Sequence, residues 1–299
     1  MLFNREAEGC FSAIAASFNM AFERDAPEAG EPLNFTLANS PLAETNEMQH
    51  NETIIEQFSL QAIPFAKLPG HSDSMQMLIQ LSGVSATDEV LDVACGPGIV
   101  ACEFAVHATH VSGIDLTPKM IQQAEKLQQE KGLTNVSWKI GDVLPLPFPD
   151  AHFSLVMTRY SFHHFIDPMA VMLEMVRVCK PGGKVMVVDA VIPPEKADAY
   201  NRMEKLRDPS HTKALSFNEM AAVIETSGLK GIRTARYKVE MELEKQLTAS
   251  FPNPGDTEKL RQMFASDIEQ DSMGVEVHRI GNELHFAYPI LITVGQKIA

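Results

Sequence analysis

Three carboxylates stand at the ends of three successive apolar runs: Asp92 in LDVACGPGI (91–99), Asp115 in HVSGIDL (110–116) and Asp142 in Gly141-Asp142-Val143. Between the first two, Gly96 and Gly98 allow a backbone to approach a ligand where a Cβ would collide. A helix opening just behind them offers free N–H groups and a positive dipole end. A lone G-x-G suits many nucleotide-binding sheets, and Asp92 narrows the choice. A loop that grips pyrophosphate gains nothing from a carboxylate there; a ligand bearing an ammonium group and a sulfonium does. Asp115 follows roughly 20 residues on, at a strand end, where a carboxylate accepts both hydroxyls of a ribose. Its alternative is a helix-capping acid before Thr117-Pro118. Asp142 can accept from an adenine amino group while Val143 packs on the ring, although alone it could be an ordinary loop acid. Together the three acids make a pocket for amine, ribose and base.

A second group follows the next apolar run: Arg159-Tyr160-Ser161-Phe162-His163-His164. An imidazole titrates near neutrality and suits a general base. His164 is favoured over His163 to face the site; the alternative is that both fill the turn before Asp167-Pro168. Tyr160, Asp189 at a later strand end, and His211 closing MEKLRDPSH (203–211) are candidates to hold an acceptor molecule. The 203–211 run reads as a lid helix or as a surface helix ended by Pro209. Phe58, Phe65 and Met75 form an N-terminal lid or belong to the core. Met169, Met172 and Met175 belong to a helix and to core packing, where thioethers fill irregular gaps.

The elements that position these residues alternate. Strands are expected at Glu89–Ala94, His110–Leu116, Val136–Ile140, Phe153–Thr158 and Gly183–Ala190. Helices are expected at Ile99–Ala108, Pro118–Lys131, with Thr117 as N-cap, and Pro168–Cys179. Strict alternation means right-handed βαβ units, a parallel sheet and helices on both faces. Ligands then collect at the carboxyl edge of the strands. Further on, helices are expected at Ser216–Ser227 and Asp256–Glu269, and strands at Gly231–Glu240 and His285–Val294. Residues 1–50, with Pro27, Pro32, Pro41 and several acids, read as a poorly ordered extension. Residues 51–299 read as one domain with lid or insert segments at its N-terminus and at 195–280. Met48 is expected to lie near the start of the folded unit.

The 299 residues are 45% hydrophobic and 21% charged, ordinary for a globular protein. A net charge of −14 excludes a concentrated basic track for nucleic acid. The cluster Arg233–Lys238 reads as one face of a strand. Four cysteines show no C-x-x-C pair, and ten histidines show no metal-ligand spacing, so reduced thiols, a cytoplasmic location and no metal are expected. No run spans a bilayer. Glu6 and Glu8, where a signal peptide would be basic, argue against secretion.

The motifs D-V-A-C-G-P-G, G-I-D-L, G-D-V-L-P-L-P-F-P-D, R-Y-S-F-H-H-F and V-C-K-P-G-G-K resemble those of class I S-adenosylmethionine (SAM)-dependent methyltransferases. The nearest match is the methyltransferase type 11 branch, similar to ubiquinone and menaquinone C-methyltransferases, over about residues 55–190. The resemblance implies a Rossmann-like three-layer sandwich whose seven-stranded, mostly parallel sheet has the order 3-2-1-4-5-7-6, the last strand antiparallel. It implies that Asp92, Ala94, Cys95, Gly96, Gly98, Asp115, Leu116, Met120, Gly141, Asp142, Val143 and Arg159 surround SAM, or the product S-adenosylhomocysteine (SAH). Ala94 replaces the family's first glycine, and Cys95 is a packing residue. The implied activity is methyl transfer to a small-molecule acceptor, aromatic, quinone-like or other, with no nucleic-acid partner. Two alternatives stay open: a SAM-binding protein without transfer, and an NAD-dependent oxidoreductase, which Asp92 and Asp142 disfavour.

Overall fold

The computed structural model describes residues 41–65 and 74–298. Two helices come first, α1 (Pro41–Phe65) and α2 (Met75–Ser82). The alternating part follows: β1 (Glu89–Val93), α3 (Ile99–Phe104), β2 (His110–Asp115), α4 (Pro118–Lys131), β3 (Val136–Ile140), β4 (Phe153–Arg159), α5 (Pro168–Val178) and β5 (Cys179–Ala190). Then come α6 (Ala197–Arg207), α7 (Phe217–Thr226), β6 (Lys230–Glu242), α8 (Leu243–Ser250), α9 (Asp256–Ser266), β7 (His278–Ile280) and β8 (Glu283–Gln296). Residues 41–50 are thus helical, where a loose extension is expected from sequence; residues 1–40 lie outside the described residues.

The strands form one sheet in the order β3-β2-β1-β4-β5-β8-β6, with β7 on β8. β1 to β5 are parallel, and β8 runs antiparallel between β5 and β6. This is the 3-2-1-4-5-7-6 arrangement, with β8 in the seventh place. The additional strand is half of a hairpin whose Ile280↔Glu283 pair leaves Gly281-Asn282 as a two-residue turn. Its three residues are too few to show a period, so sequence pattern passes over it.

Both faces of the sheet are covered, so its central strands are apolar almost throughout. Neighbouring residues point to opposite faces. Val90, Leu155, Met157, Met186 and Val188 pack with Leu78, Phe104, Met203 and Phe264. Leu91, Val93, Val156, Val185 and Val187 pack with Met172, Met175, Met220 and Val223. Met172 and Met175 are fully buried, as expected of core residues. At the sheet edge β6 turns Arg233, Arg236 and Lys238 to solvent, which blunts pairing with another chain.

Two local expectations are corrected. The helix expected over Ile99–Ala108 ends at Phe104, because the Asn135 amide donates to Ala105 O and Ala108 O at 2.8 and 3.1 Å and turns the chain toward β2. Thr117 occupies the N-cap position of α4, yet its hydroxyl makes no capping bond. Asp115 Oδ1 instead accepts the Thr117 N–H at 2.8 Å.

Candidate functional site

The carboxyl ends of β1, β2 and β3 bring the three acids to one edge. Asp92 is 2% exposed, and its Oδ2 has no hydrogen-bond partner among the described residues. Burial, and then the charge of Asp115, push its carboxyl up to about 7 against the Ala101 N–H and Arg159, which favour the charged form. An orphaned buried carboxylate oxygen is costly unless a donor or cation completes it. The amine of a SAM molecule fits that requirement.

The two loop glycines have different jobs. Gly96 has φ +52° and open space where a Cβ would stand, so a ligand can lie against it. At Gly98 a Cβ would strike Trp138 at 2.6 Å and the Ala124 Cβ at 2.8 Å. Gly98 therefore serves the packing of α4 and β3 behind the loop. Ala94 also has positive φ, +55°. The Cys95 thiol is raised by burial and then by Asp115 and Asp92, so it stays protonated and packs.

Asp115 takes up the local structural role and leaves room for the other. Its oxygens accept the Gly96 and Thr117 N–H groups, each at 2.8 Å. Each carboxylate oxygen has a second lone pair, so ribose hydroxyls remain acceptable partners. Burial raises its carboxyl against those two bonds. Leu116 is half-buried beside it and Met120 is buried one turn into α4. At the third strand end, past Gly141, Asp142 Oδ1 accepts the Val143 and Leu144 N–H groups, while Oδ2 accepts Asn51 Nδ2 from α1 at 2.7 Å.

Arg159 closes β4 and lies over the Tyr160 ring, 4.4 Å from its centroid, donating to the Tyr160 hydroxyl. Tyr160 has φ +58° and shares a 2.7 Å hydrogen bond with Tyr237 of β6. A bulky residue held at positive φ is strained, and such strain gathers at functional loops.

The two adjacent histidines divide. His163 Nδ1 donates to Asp189 Oδ1 at 2.6 Å, which leaves Nε2 as its free nitrogen. Burial lowers its pKa, but the charge and hydrogen bond of Asp189, and then Glu204, outweigh burial and raise it above 6.5. His164 Nδ1 donates to Ser210 O at 3.1 Å, and Phe58 of α1 packs edge-on against its ring. Burial, then the neighbouring His163, hold His164 far below the usual imidazole range, so it stays neutral. Both histidines line the pocket, and the carboxylate-oriented imidazole is His163. Asp189 directs its oxygens at this loop, accepting the Phe162 and Ala190 N–H groups as well, rather than at an acceptor. His211 is fully buried, donates to Asn201 at 2.7 Å and stacks 5.5 Å from His163, behind the wall instead of on it.

These groups border a pocket of about 660 Å³, mouth included. Phe58 and Gln61 of α1, the His163-His164 loop, Asp189, Glu204 and Arg207 of α6, Gln246 of α8, and Tyr288 and Ile290 of β8 line it. Met75 lies in the core instead of in a lid, and the Phe65 side chain lies outside the described residues. Glu204 accepts Arg207 Nε and Nη2 and the Tyr288 hydroxyl, the last at 3.0 Å. Sequence pattern gave no notice of Gln61, Gln246 or Tyr288. Glu204 and Arg207 had one signal, opposite charges at i, i+3 within the 203–211 run. Among the described residues no group of His, Cys, Asp or Glu is arranged to hold a metal ion, and no helix is long and apolar enough to cross a membrane.

Comparison with known proteins agrees with this architecture. A family described as "Methyltransferase domain", type 11, matches residues 91–187. The uncharacterized methyltransferase YcgJ of Bacillus subtilis is 28% identical over 236 residues, covering 77% of this chain and 93% of that protein. Its crystal structure superposes with a TM-score of 0.71 at 25% identity, covering 77% of this chain and all of the other. The ubiquinone/menaquinone biosynthesis C-methyltransferase UbiE of Bdellovibrio bacteriovorus is 36% identical over 114 residues, 38% of this chain and 48% of that one. The 27-O-demethylrifamycin SV methyltransferase of Amycolatopsis mediterranei is 29% identical over 149 residues, 48% of this chain and 55% of that one. Sheet order, matched domain and relatives converge: residues 91–187 carry a type 11 methyltransferase domain, and the chain is similar in sequence and fold to class I SAM-dependent methyltransferases.

Proposed function

We propose that this chain transfers a methyl group from SAM to a small, largely apolar acceptor, with His163 as the base. The observation that carries the cofactor half is the buried, unpartnered carboxylate oxygen of Asp92 beside the open face of Gly96. Bound SAM supplies a methyl group already activated by its sulfonium. Asp92 holds the amine, Asp115 the ribose, and Asp142 with Val143 the adenine; Leu116, Met120 and Arg159 enclose them. The protein's remaining task is to position the acceptor and remove a proton where one must leave.

The His163–Asp189 pair supports the second task. Asp189 fixes the imidazole orientation and stabilises the charge His163 acquires when it takes a proton, while Nε2 stays free. His164, Tyr160 and His211 shape and support the loop. The relatives methylate different acceptors by their names, a quinone precursor in one case and a rifamycin oxygen in another. An aromatic or quinone-like acceptor suits walls built from Phe58, Val239, Met241 and Ile290. The buried free thiols of Cys95, Cys102 and Cys179 fit a cytoplasmic setting.

Calorimetric titration with SAM, SAH and NAD tests this reading. SAM and SAH should bind and NAD should not. Asp115→Ala should weaken SAM by about 1–3 kcal/mol through lost charge-assisted hydrogen bonds. Binding of NAD alone, or an unchanged SAM affinity in that variant, would overturn the cofactor assignment.

A further inference from the structure

The pocket wall holds more acid than base. Asp189, Glu204 and Asp208 face one permanent cation, Arg207, with His163 joining it only when protonated. His164, also on the wall, stays neutral. Burial pushes Asp208 up, but the charge of Arg207 and the hydrogen bonds from Ser210 overrule it and hold it low.

Arg207 would ordinarily advertise a carboxylate or phosphate ligand, since its planar fork matches both. Here the fork is occupied within the protein. Nε and Nη2 donate to Glu204, Nη1 donates to Ser250 Oγ at 3.0 Å, and Asp208 Oδ2 stands 3.9 Å away. A buried ion pair of this kind is weak evidence for stability, because desolvation consumes most of its attraction. Its consequence for a ligand is larger. An anion entering the pocket would meet a neutralised guanidinium and two further carboxylates, at reduced dielectric.

A second observation points to what the pocket accepts. Gln246 lies on the wall, is 4% exposed, and its Oε1 has no hydrogen-bond partner among the described residues. A buried carbonyl oxygen left without a donor is costly. A hydroxyl or N–H of the ligand would complete it.

Building on the methyltransferase reading, we propose that the acceptor is an uncharged ring compound with a hydroxyl directed to His163 and a second donor group directed to Gln246, and that Glu204 excludes carboxylate- and phosphate-bearing analogues by neutralising Arg207. Glu204 and Gln246 are then specificity-determining residues. Neither is required for cofactor binding.

The test is calorimetric titration of the full chain, with and without SAH, using 1-naphthol, 1-hydroxy-2-naphthoate and 1,5-dihydroxynaphthalene as probes. The uncharged 1-naphthol should bind at least about tenfold more tightly than the carboxylate, a difference of ~1.4 kcal/mol. Glu204→Gln should narrow or invert that ratio by freeing the Arg207 fork. The second hydroxyl of 1,5-dihydroxynaphthalene should improve binding to the native protein and add nothing in Gln246→Leu. Equal or tighter binding of the carboxylate by native protein, or failure of all three probes to bind, overturns the proposal, whether or not the Glu204 variant folds. A second hydroxyl without effect on native protein removes the Gln246 assignment. Absence of SAH binding would count against the methyltransferase reading, while the ratio between charged and uncharged probes would still judge this one.

Discussion

Ala94 holds a left-handed conformation in the cofactor loop, at φ +55°. An L side chain there costs roughly 1–2 kcal/mol, which glycine avoids, although glycine also loses more chain entropy on folding. Ala94→Gly should therefore stabilise the protein by about 0.5–1 kcal/mol, read as a shift of the urea midpoint at unchanged slope. A lower midpoint would mean that the alanine methyl contributes packing that outweighs the strain.

Asp92 links cofactor binding to pH. Its carboxyl is raised from 3.8 to about 7 in the fold. A group raised on folding stabilises fully below its unfolded pKa, and that contribution is lost as pH rises through the folded value. The ligand-free protein should thus lose stability between pH 3.8 and about 7 from this residue. A ligand with an ammonium group favours the charged carboxylate, so SAH should raise Tm more at about pH 8 than at about pH 6. An increment independent of pH would show that Asp92 does not meet the amine.

His163 titrates in the opposite functional sense. As a base it acts when neutral, and its pKa lies above 6.5. Turnover should rise with pH through that value. Asp189 and Glu204 pull the midpoint up, and Arg207 pushes it down. His163→Gln should lower kcat by about 10²–10⁴-fold while sparing SAM affinity, and Asp189→Asn should move the midpoint downward. A pH profile unmoved by the Asp189 change would detach Asp189 from the base. At this scale Asp92, Asp115 and Asp142 were legible, because each closes a strand within a short motif. The choice between His163 and His164 was not, because it depends on Asp189, which lies 26 residues from His163.

Among the elements, α1 carries the most long-range consequence. Its His50 donates to His164 O at 2.8 Å, Asn51 reaches Asp142, Gln57 donates to Ser250 O, and Gln61 donates to Ser250 O and Asp208 Oδ2. All of these residues follow Met48, so a chain beginning at Met48 should keep its SAM affinity and its Tm within a few degrees. Replacing both Gln57 and Gln61 by leucine should instead cost about 2–3 kcal/mol, at about 1 kcal/mol per net hydrogen bond. Loss of folding on truncation to Met48 would place essential contacts before Met48. The alternating strands and helices from β1 to β5 could be read from periodicity, since each is fixed by local pattern and two covered faces. α1 could not: its segment is rich in polar residues, and its partners lie as far as 193 positions away.

For the whole molecule, Pro41–Ala299 forms one compact unit in which the two halves of the site have unequal origins. The acids proposed to hold the cofactor lie on β1, on β2 and two residues past β3, all before position 143. The acceptor walls draw on Gln61, Glu204, Gln246 and Tyr288, which span most of the unit. Fold class and cofactor edge were therefore visible in a contiguous stretch of sequence, whereas the acceptor walls come into being only through tertiary contact.

The place of β8 in the sheet also sets an order of assembly as the chain leaves the ribosome. The last strand made slots between β5 and β6, and its Tyr288 hydroxyl caps Glu204. Until it arrives, β5 has no neighbour on that side. The nascent chain thus holds the sheet edge with Asp92, Asp115 and Asp142 before the pocket walls exist, and contacts of such long sequence separation are slow to form. Emergence of β8, rather than synthesis of the motif region, is when the pocket of Glu204 and Tyr288 closes.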